Sequence, residues 1–437
     1  MLSWIWIALV VVAIAYGGWV GTLDAVNGAL IESARGAVAF VIKIVGVMAI
    51  FLGAMRAAFD GGLRDLLARA IAPALRRLFP DVPPDHPAMG AIIMNMASNA
   101  LGLGNAATPF GIKAMKELDR LNPAPGVASD PMVLFLAINT SAVALFPLGA
   151  VTMRAVEGST DPFSIWIPTL VASTCSTVAG IAAYFALGRL PMFAAPRGDA
   201  TRPPATAADD TAADAPSEAA PPARASRAQA VAAIAAALLL LVVMGRDVAT
   251  SELAGLALFK QWATDWLMPV FFASLVLFGF GRGASVYDSA VEGAKEGLEV
   301  GVRIAPYLVV ILVAVGLLRA SGALEAMIGL LDPLTSRFGV PAEVLPMALI
   351  RPLSGSGATG VMVETIQTYG PDSFVGQLTC VIAGSTETTF YVLAVYYGAV
   401  GVRATRHTVL ACLTADFAGF VGAVAASHWW FGQASGG

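Results

Sequence analysis

The stretch SFVGQLTCVIAGSTETTFYVLAVYYG, residues 373–398, is long and apolar enough to cross a bilayer, yet residues 384–389 at its centre are polar. A spanning helix needs about 20 mostly apolar residues. Broken backbone is tolerated at membrane depth only where protein or a water-filled cavity satisfies it. The stretch therefore predicts a spanning helix that is interrupted at a polar site.

The composition extends this prediction to the whole chain. Of 437 residues, 57% are hydrophobic and 13% are charged, against about 25% charged in an ordinary globular protein. This balance excludes a nucleic-acid binder, a disordered regulator and a typical cytosolic enzyme. The three cysteines fit no disulfide or zinc spacing, and no catalytic triad or phosphate loop is evident. We therefore expect an all-α polytopic membrane protein that is not an enzyme and uses no metal or other cofactor.

Nine segments have the length and apolar character of membrane spans. The first lacks the preceding Lys or Arg of a signal peptide, so we interpret it as a retained helix. The nine segments are Leu2–Val20, 37–59, 131–156, 163–187, 228–244, 264–280, 300–318, 373–398 and 405–431.

Basic residues predict the orientation. With a cytoplasmic amino terminus, 17 Lys and Arg residues lie on the cytoplasmic side and 7 on the other, leaving out Lys43 and Arg303 within spans. Cytoplasmic loops carry the excess of basic residues. We therefore predict a bacterial inner-membrane protein with a cytoplasmic amino terminus and a periplasmic carboxyl terminus.

A segment without large apolar residues divides the chain. Residues 197–228 contain no Val, Ile, Leu or Phe, so they cannot bury enough surface to offset the entropy of ordering. We predict a disordered Ala/Pro/Asp linker at 191–228 between two units, 1–190 and 229–437.

The two units resemble each other in sequence. At a constant offset of 260, Glu32 matches Glu292 and Lys43 matches Arg303. Five predicted spans separate equivalent points, and an odd number turns the second copy upside down. Inverted repeats around a midplane site are a common plan of secondary transporters.

Each unit also carries a short interrupted pair of apolar segments, within 88–121 and 341–370. Each arm is too short to span and the tip is rich in glycine, which predicts a re-entrant helical hairpin. An amphipathic stretch precedes each hairpin, at 62–79 and 322–338, and its pattern is typical of a helix lying along the interface.

Four polar clusters fall where lipid is expected: the two hairpin tips and the centres of the spans 131–156 and 373–398. Short neutral donors and acceptors beside unwound backbone suit a small polar solute or a dehydrated cation. The predicted substrate- or ion-binding residues are Asn105, Thr108, Asn139, Thr140, Ser141, Ser354, Ser356, Ser385, Thr386, Glu387 and Thr388.

Glu387 is the most informative of these residues, because a carboxylate near the bilayer centre marks a functional site by default. It could contact substrate, carry a proton or bind a cation, or it could be paired with Arg351 or held protonated. Arg351 and Glu364 flank the second tip and could form a pair that locks it. Asp416, in the last span, suits buried hydrogen bonding and proton handling equally well.

Three runs of the sequence, at 102–118, 351–360 and 384–398, carry a resemblance to known families. Through them the first unit resembles the spore maturation protein A family and the second resembles the spore maturation protein B family, both within the nucleoside-recognition or gate domain group. The resemblance implies that the two halves pair with each other. By architecture it also implies the two hairpins, two unwound helices and elevator motion of concentrative nucleoside transporters, but not their substrate.

We expect an ion-coupled secondary transporter, driven by Na⁺ or H⁺, of a nucleoside-like or other small solute. Its partners are then the lipid bilayer and that solute, without nucleic acid, and the chain is expected to form a homo-oligomer. Two alternatives stay open: a non-transporting scaffold or regulator of cell-envelope or spore maturation, and a flippase for an envelope lipid. A scaffold would leave all four clusters dry and mutually hydrogen-bonded.

Overall fold

The computed structural model describes residues 2–102, 104–141, 143–193, 225–251, 253 and 255–432. Within these ranges the regular secondary structure is helical, apart from one β-bridge between Val127 and Ala404. Most of the predicted linker at 191–228 lies outside the described residues, as does the side chain of Asn105.

The first half begins with one apolar helix and one very long helix, and then passes through shorter elements to a long final helix. The α-helices described in this half are α1 (Leu2–Val20), α2 (Leu23–Asp60), α3 (Leu63–Leu78), α4 (Pro87–Ala100), α5 (Gly104–Arg120), α6 (Asp130–Thr140), α7 (Leu148–Val156) and α8 (Trp166–Gly188).

The second half repeats this order after one additional helix. Its described α-helices are α9 (Arg227–Thr250), α10 (Gly255–Gly281), α11 (Val286–Ala320), α12 (Ala323–Thr335), α13 (Leu345–Ile350), α14 (Gly355–Tyr369), α15 (Phe374–Ser385), α16 (Thr389–Gly398) and α17 (Thr408–Phe431).

Six helical segments in the described part of the chain are long and apolar enough to cross a membrane, namely Leu23–Asp60, Pro162–Gly188, Arg227–Thr250, Val286–Ala320, Phe374–Gly398 and Thr408–Phe431. The other three predicted spans fall on shorter apolar helices, Trp6–Val20, Asp130–Thr140 and Asp265–Gly281. The chain is thus an all-helical membrane protein.

The helices α2 and α11 are longer than their predicted spans, with 38 and 35 residues. Their charged ends, which lie outside the predicted spans 37–59 and 300–318, continue the helix. At 1.5 Å per residue α2 is about 57 Å long, well beyond a hydrocarbon core of about 30 Å. Arg56, near the end of α2, donates to Glu296 in the charged start of α11 over 2.6 Å.

Glycines allow α2 and α11 to pack closely and in opposite directions. A Cβ on Gly293 would lie 2.8 Å from the Cα of Gly53, and one on Gly297 would lie 2.8 Å from the Cα of Ala49. Since the α11 number rises as the α2 number falls, the helices are antiparallel. Small residues that let backbones approach are typical of helix packing in membranes.

The final helices of the halves, α8 and α17, are antiparallel as well. Ser176 donates to the carbonyl of Ala415 over 2.8 Å, while Gly188, three turns later, faces His407, two turns earlier in the partner helix. Each of these two pairs thus joins one helix of the first half to one helix of the second half in opposite directions.

Helices occupy the two predicted hairpins. In the first, α4 and α5 pack with α3, α6 and α16 in an apolar core that contains Met89, Met115 and Phe135. In the second, α13 and α14 pack with α11 and α15 in a core that contains Val344, Val363 and Leu378. Each hairpin thus lies beside a broken helix.

Candidate functional site

Two helices are broken where the sequence predicts it. The first stops at Thr140 and resumes as α7 at Leu148 after Pro147, and the second stops at Ser385 and resumes as α16 at Thr389. The hydroxyls of Thr140 and Ser385 donate to their own helix, to the carbonyls of Ala137 (3.2 Å) and Ile382 (2.8 Å). Such local bonds compete with the backbone pattern of a helix. We call residues 141–147 the first break and 386–388 the second break.

The two breaks meet. The backbone N–H of Glu387 donates to the carbonyl of Thr140 over 2.8 Å. An unwound carbonyl of one half thereby satisfies an unwound N–H of the other half, as buried backbone requires.

The broken helices run in opposite directions, as their outer ends show. Asp130, at the start of α6, accepts from Arg406, which follows α16, over 2.6 Å. Asp372, just before α15, accepts from Arg154, near the end of α7, over 2.9 Å. The start of each broken helix thus lies beside the end of the other, and the breaks cross in the middle.

The first hairpin tip is bonded to the first break. Asn99 donates to the side-chain oxygen of Asn139 over 3.0 Å, and Asn139 donates to the carbonyl of Phe135 over 2.9 Å. Gly102 has φ +76° and a Cβ there would lie 2.6 Å from the carbonyl oxygen of Phe146, so this turn needs glycine.

The second hairpin tip is bonded to the second break through Arg351. This guanidinium donates to the carbonyl of Thr386 and to the hydroxyl of Thr388 (3.2 Å), and it lies 3.7 Å from the carboxylate of Glu387. Beyond the tip, the Ser354 hydroxyl caps α14 by accepting from the N–H of Gly357 over 3.0 Å, a cap of about 1 kcal/mol.

Glu387 is only partly buried. Its side chain is 46% exposed, whereas that of Arg351 is 13% exposed. The carboxylate therefore touches Arg351 on one side and open space on the other. It can accept hydrogen bonds from a ligand at the point where both breaks and the second hairpin meet.

The remaining predicted site residues are mostly enclosed. Those buried in the fold are Asn139, Thr140, Ser141, Ser354, Ser385, Thr386 and Thr388. Ser356 is half-buried at the second tip, and its hydroxyl lies 3.4 Å from that of Ser354. Thr108 lies away from the crossing, because it interacts with the hydroxyl of Tyr396 on α16.

The anticipated pair of Arg351 and Glu364 does not form. Glu364 accepts from Nε of Arg319 over 2.6 Å and from the hydroxyl of Thr368 over 3.2 Å. Arg319 ends α11, which packs on α14, so it reaches Glu364 while Arg351 turns toward the second break.

Sequence reasoning missed several polar contacts between the halves, including three side-chain contacts at the broken helices. Asn95 of α4 donates to the hydroxyl of Tyr396 over 3.3 Å, inside an apolar core. The other two are the ion pairs of Arg154 and Arg406. An Arg at the apolar end of a predicted span was a usable signal, but its acidic partner is 218 residues away for Arg154 and 276 for Arg406.

His407 lies beside the Arg406 pair and is fully buried among aromatic rings. Tyr184 stacks on it at 5.7 Å and Phe193 lies at the same distance. Burial lowers the pKa of His407 below its ordinary value of 6.5, nearby Arg406 lowers it further, and Asp130 opposes the change. The imidazole is therefore neutral in the folded protein near pH 7.

This environment predicts acid sensitivity. As the pH falls below about 6.5, the unfolded chain takes up a proton at His407 before the folded protein does, so the free energy of unfolding falls. We expect the unfolding temperature in detergent to drop between about pH 7.5 and about pH 5.5, and His407→Phe to reduce that drop while keeping the aromatic packing. An equal drop in the variant would contradict the prediction.

Among the described residues, no three His, Cys, Asp or Glu side chains are grouped so as to hold a metal ion. At the crossing, Glu387, Arg351 and the hydroxyl and amide groups around them offer hydrogen bonding and charge.

Comparison with known proteins gives three matches. The model of the Gate nucleoside-recognition family matches residues 41–189 and 301–403. Spore maturation protein B of Bacillus subtilis is 45% identical over 174 residues, 40% of this chain and 98% of the relative. Spore maturation protein A of the same organism is 40% identical over 181 residues, 41% of this chain and 92% of the relative. No solved structure matches the chain significantly.

Proposed function

This chain belongs to the Gate nucleoside-recognition family, and from that premise we propose that it is a secondary transporter of a small polar solute. The two relatives together match most of the chain, which is consistent with a fusion of an A-like and a B-like half. The observation that carries the proposal is the crossing of two antiparallel broken helices, with the half-exposed carboxylate of Glu387 at the crossing point.

The packing supports an inverted repeat as part of this proposal. The pair α2 and α11, the pair α8 and α17, and the two broken helices each join equivalent elements in opposite directions. Transporters built on inverted repeats bind their solute near the midplane, where unwound helices expose backbone groups. In the proposed protein the site lies at the two breaks, and the hairpins are re-entrant.

The ion pairs support the proposed topology, because each joins positions assigned to the same side of the membrane. Arg406, Asp130 and the carbonyl of Phe193 form one contact, all at positions that the basic residues assign to the cytoplasm. Arg154 and Asp372 form the other, both at positions assigned to the periplasmic side. We propose that the chain lies in a bacterial inner membrane with its amino terminus in the cytoplasm.

The proposed solute presents hydrogen-bond donors, because the accessible group at the crossing is a carboxylate beside a guanidinium. Nucleosides, which carry hydroxyl and amino groups, fit this chemistry and the family description. The proposal includes coupling to Na⁺ or H⁺ and an elevator movement of the hairpins and broken helices against α2 and α11.

A thermal-shift panel on the purified full chain tests the proposal. The compounds are nucleosides, nucleobases, dicarboxylates and amino acids, with Na⁺, K⁺ and pH varied. A ligand at 100 times its dissociation constant is expected to stabilise the protein by about 2.7 kcal/mol. We expect Glu387→Gln and Asn139→Ala to lose the response and Glu299→Gln, an exposed glutamate of α11, to keep it.

A scaffold role is the second candidate. Hydrogen bonds within the protein, such as that of Asn99 with Asn139, already occupy many polar groups in three of the four polar clusters. A silent panel, with Glu387→Gln as stable as the wild type, would contradict the transporter proposal and favour the scaffold.

A further inference from the structure

Asp416 is a carboxyl group inside the last span whose two oxygen atoms have different surroundings. Oδ2 accepts from the hydroxyl of Thr389 over 2.7 Å. Oδ1 is buried and, within the described part of the chain, has no hydrogen-bond partner. A buried carboxylate oxygen without a donor is destabilising, because nothing compensates its charge for the lost water.

Two opposing effects act on the charge of Asp416. Burial within the apolar layer favours the neutral acid. Thr389 is the first residue of α16, a helix of ten residues, and the positive end of a helix dipole favours the anion. Burial and the helix dipole therefore act in opposite directions on the protonation of this carboxyl group.

The neighbouring charges leave Asp416 without a counter-ion of its own. Arg351 is the cation near it, but that guanidinium is already bound to the second break and to Glu387. The other titratable neighbour is Cys412, one turn earlier on α17, which interacts with Thr140 of α6. From α8, the hydroxyl of Ser176 binds the adjacent carbonyl of Ala415.

A cation larger than a proton fits this place poorly. Na⁺ in proteins needs several oxygen ligands, and the hydrogen bond of Asp416 brings one further side-chain oxygen to the carboxyl group, the Thr389 hydroxyl. A proton needs one oxygen atom. The donor set therefore favours H⁺.

Asp416 is also mechanically connected to the site. Thr389 follows the second break directly, and one turn further along α17 a Cβ on Gly419 would lie 2.7 Å from Cγ2 of Thr386. The helix α17 thus touches both ends of the break that carries Glu387.

We propose that Asp416 is a proton-binding site whose anionic form holds Thr389 and the second break against α17, and whose protonation weakens that hold. In transport, which rests on the proposed function, this proton is the coupling ion. The step is a simple transfer: H⁺ from water adds to a carboxylate oxygen and later returns to water.

Infrared difference spectroscopy on the detergent-solubilised full chain tests proton binding without any solute. Between about pH 8 and about pH 6, above the ordinary range of carboxylates, we expect a carboxylic acid C=O band in the wild type that Asp416→Asn lacks. Glu364→Gln, which removes a buried carboxyl already paired with Arg319, is expected to keep the band. Identical spectra for the wild type and Asp416→Asn would overturn the proposal.

Transport of labelled uridine by proteoliposomes then tests coupling. We expect Asp416→Asn to keep uridine exchange across the membrane and to lose roughly tenfold of the accumulation driven by an inward proton gradient, within the usual range of coupling free energies. Undiminished gradient-driven uptake in the variant would overturn the coupling role. A wild type that moves no labelled solute would count against the proposed function, while the infrared band decides the proton site separately.

Discussion

Replacing Asp372 by alanine is expected to lower the free energy of unfolding by about 3 kcal/mol, because Arg154 would then keep a buried charge without a counter-ion. Arg154 has no exposed side-chain surface, and its guanidinium donates to Asp372, to the hydroxyls of Ser159 and Ser164, and to a backbone carbonyl. Those neutral partners remain in the variant but carry no negative charge.

The matched control is Glu292→Ala. Glu292 pairs with Lys295 over 2.8 Å, but both side chains are more than half exposed, and such surface pairs contribute little to stability. Thermal unfolding in detergent compares the two variants. Equal losses would show that the buried position of Arg154 has no special cost.

The same pair predicts an acid limit. Burial raises the pKa of Asp372, but hydrogen bonds from Ser159 and Thr160 and the charge of Arg154 outweigh it, so the pKa lies below its ordinary value of 3.8. Because the folded protein binds the proton less readily than the unfolded chain, this contribution is present above about pH 4 and is lost as the pH falls through the folded-state pKa.

Gly293→Ala is expected to cost about 2–3 kcal/mol, since the added methyl group meets backbone rather than a movable side chain. Its Cβ would lie 2.8 Å from the Cα of Gly53 on α2. The two longest helices would have to separate, and Gly297, one turn away, would lose its contact with Ala49.

Gly46→Ala is the matched control on α2. A Cβ at Gly46 meets nothing within 4 Å, and alanine favours a helix over glycine by up to about 1 kcal/mol. We expect this variant to unfold at an equal or higher temperature. If Gly293→Ala were as stable as Gly46→Ala, the close approach of α2 and α11 would be wrong.

The sequence predicted the elements whose cause is local. The length of the apolar segments predicted the membrane spans, and runs of glycine and hydroxyl residues, such as residues 384–389, predicted the breaks. Glycine before an amphipathic stretch set the start of α3, where Gly62 has φ +85°. Each of these causes acts within a few residues, so the amino-acid sequence alone is sufficient to predict these elements.

Contacts between distant residues could not be predicted in this way. The choice of Arg319 over Arg351 as the partner of Glu364 depends on where α11 crosses the second hairpin. Glu296, in the charged start of α11, pairs with Arg56 of α2, and that contact depends on how the two long helices pack. The bond from Glu387 to the Thr140 carbonyl requires both breaks to be placed first.

The two ion pairs between the halves also determine when during translation the fold can close. Arg154 is separated from Asp372 by 218 residues, and at roughly 5–20 residues per second a ribosome needs about 10–40 s to make the intervening chain. During that interval the first half has its buried arginine but not the acid that neutralises it. The contact of Arg154 with Asp372 can therefore form only after most of the second half has been made, so we expect the two halves to close onto each other near the end of translation.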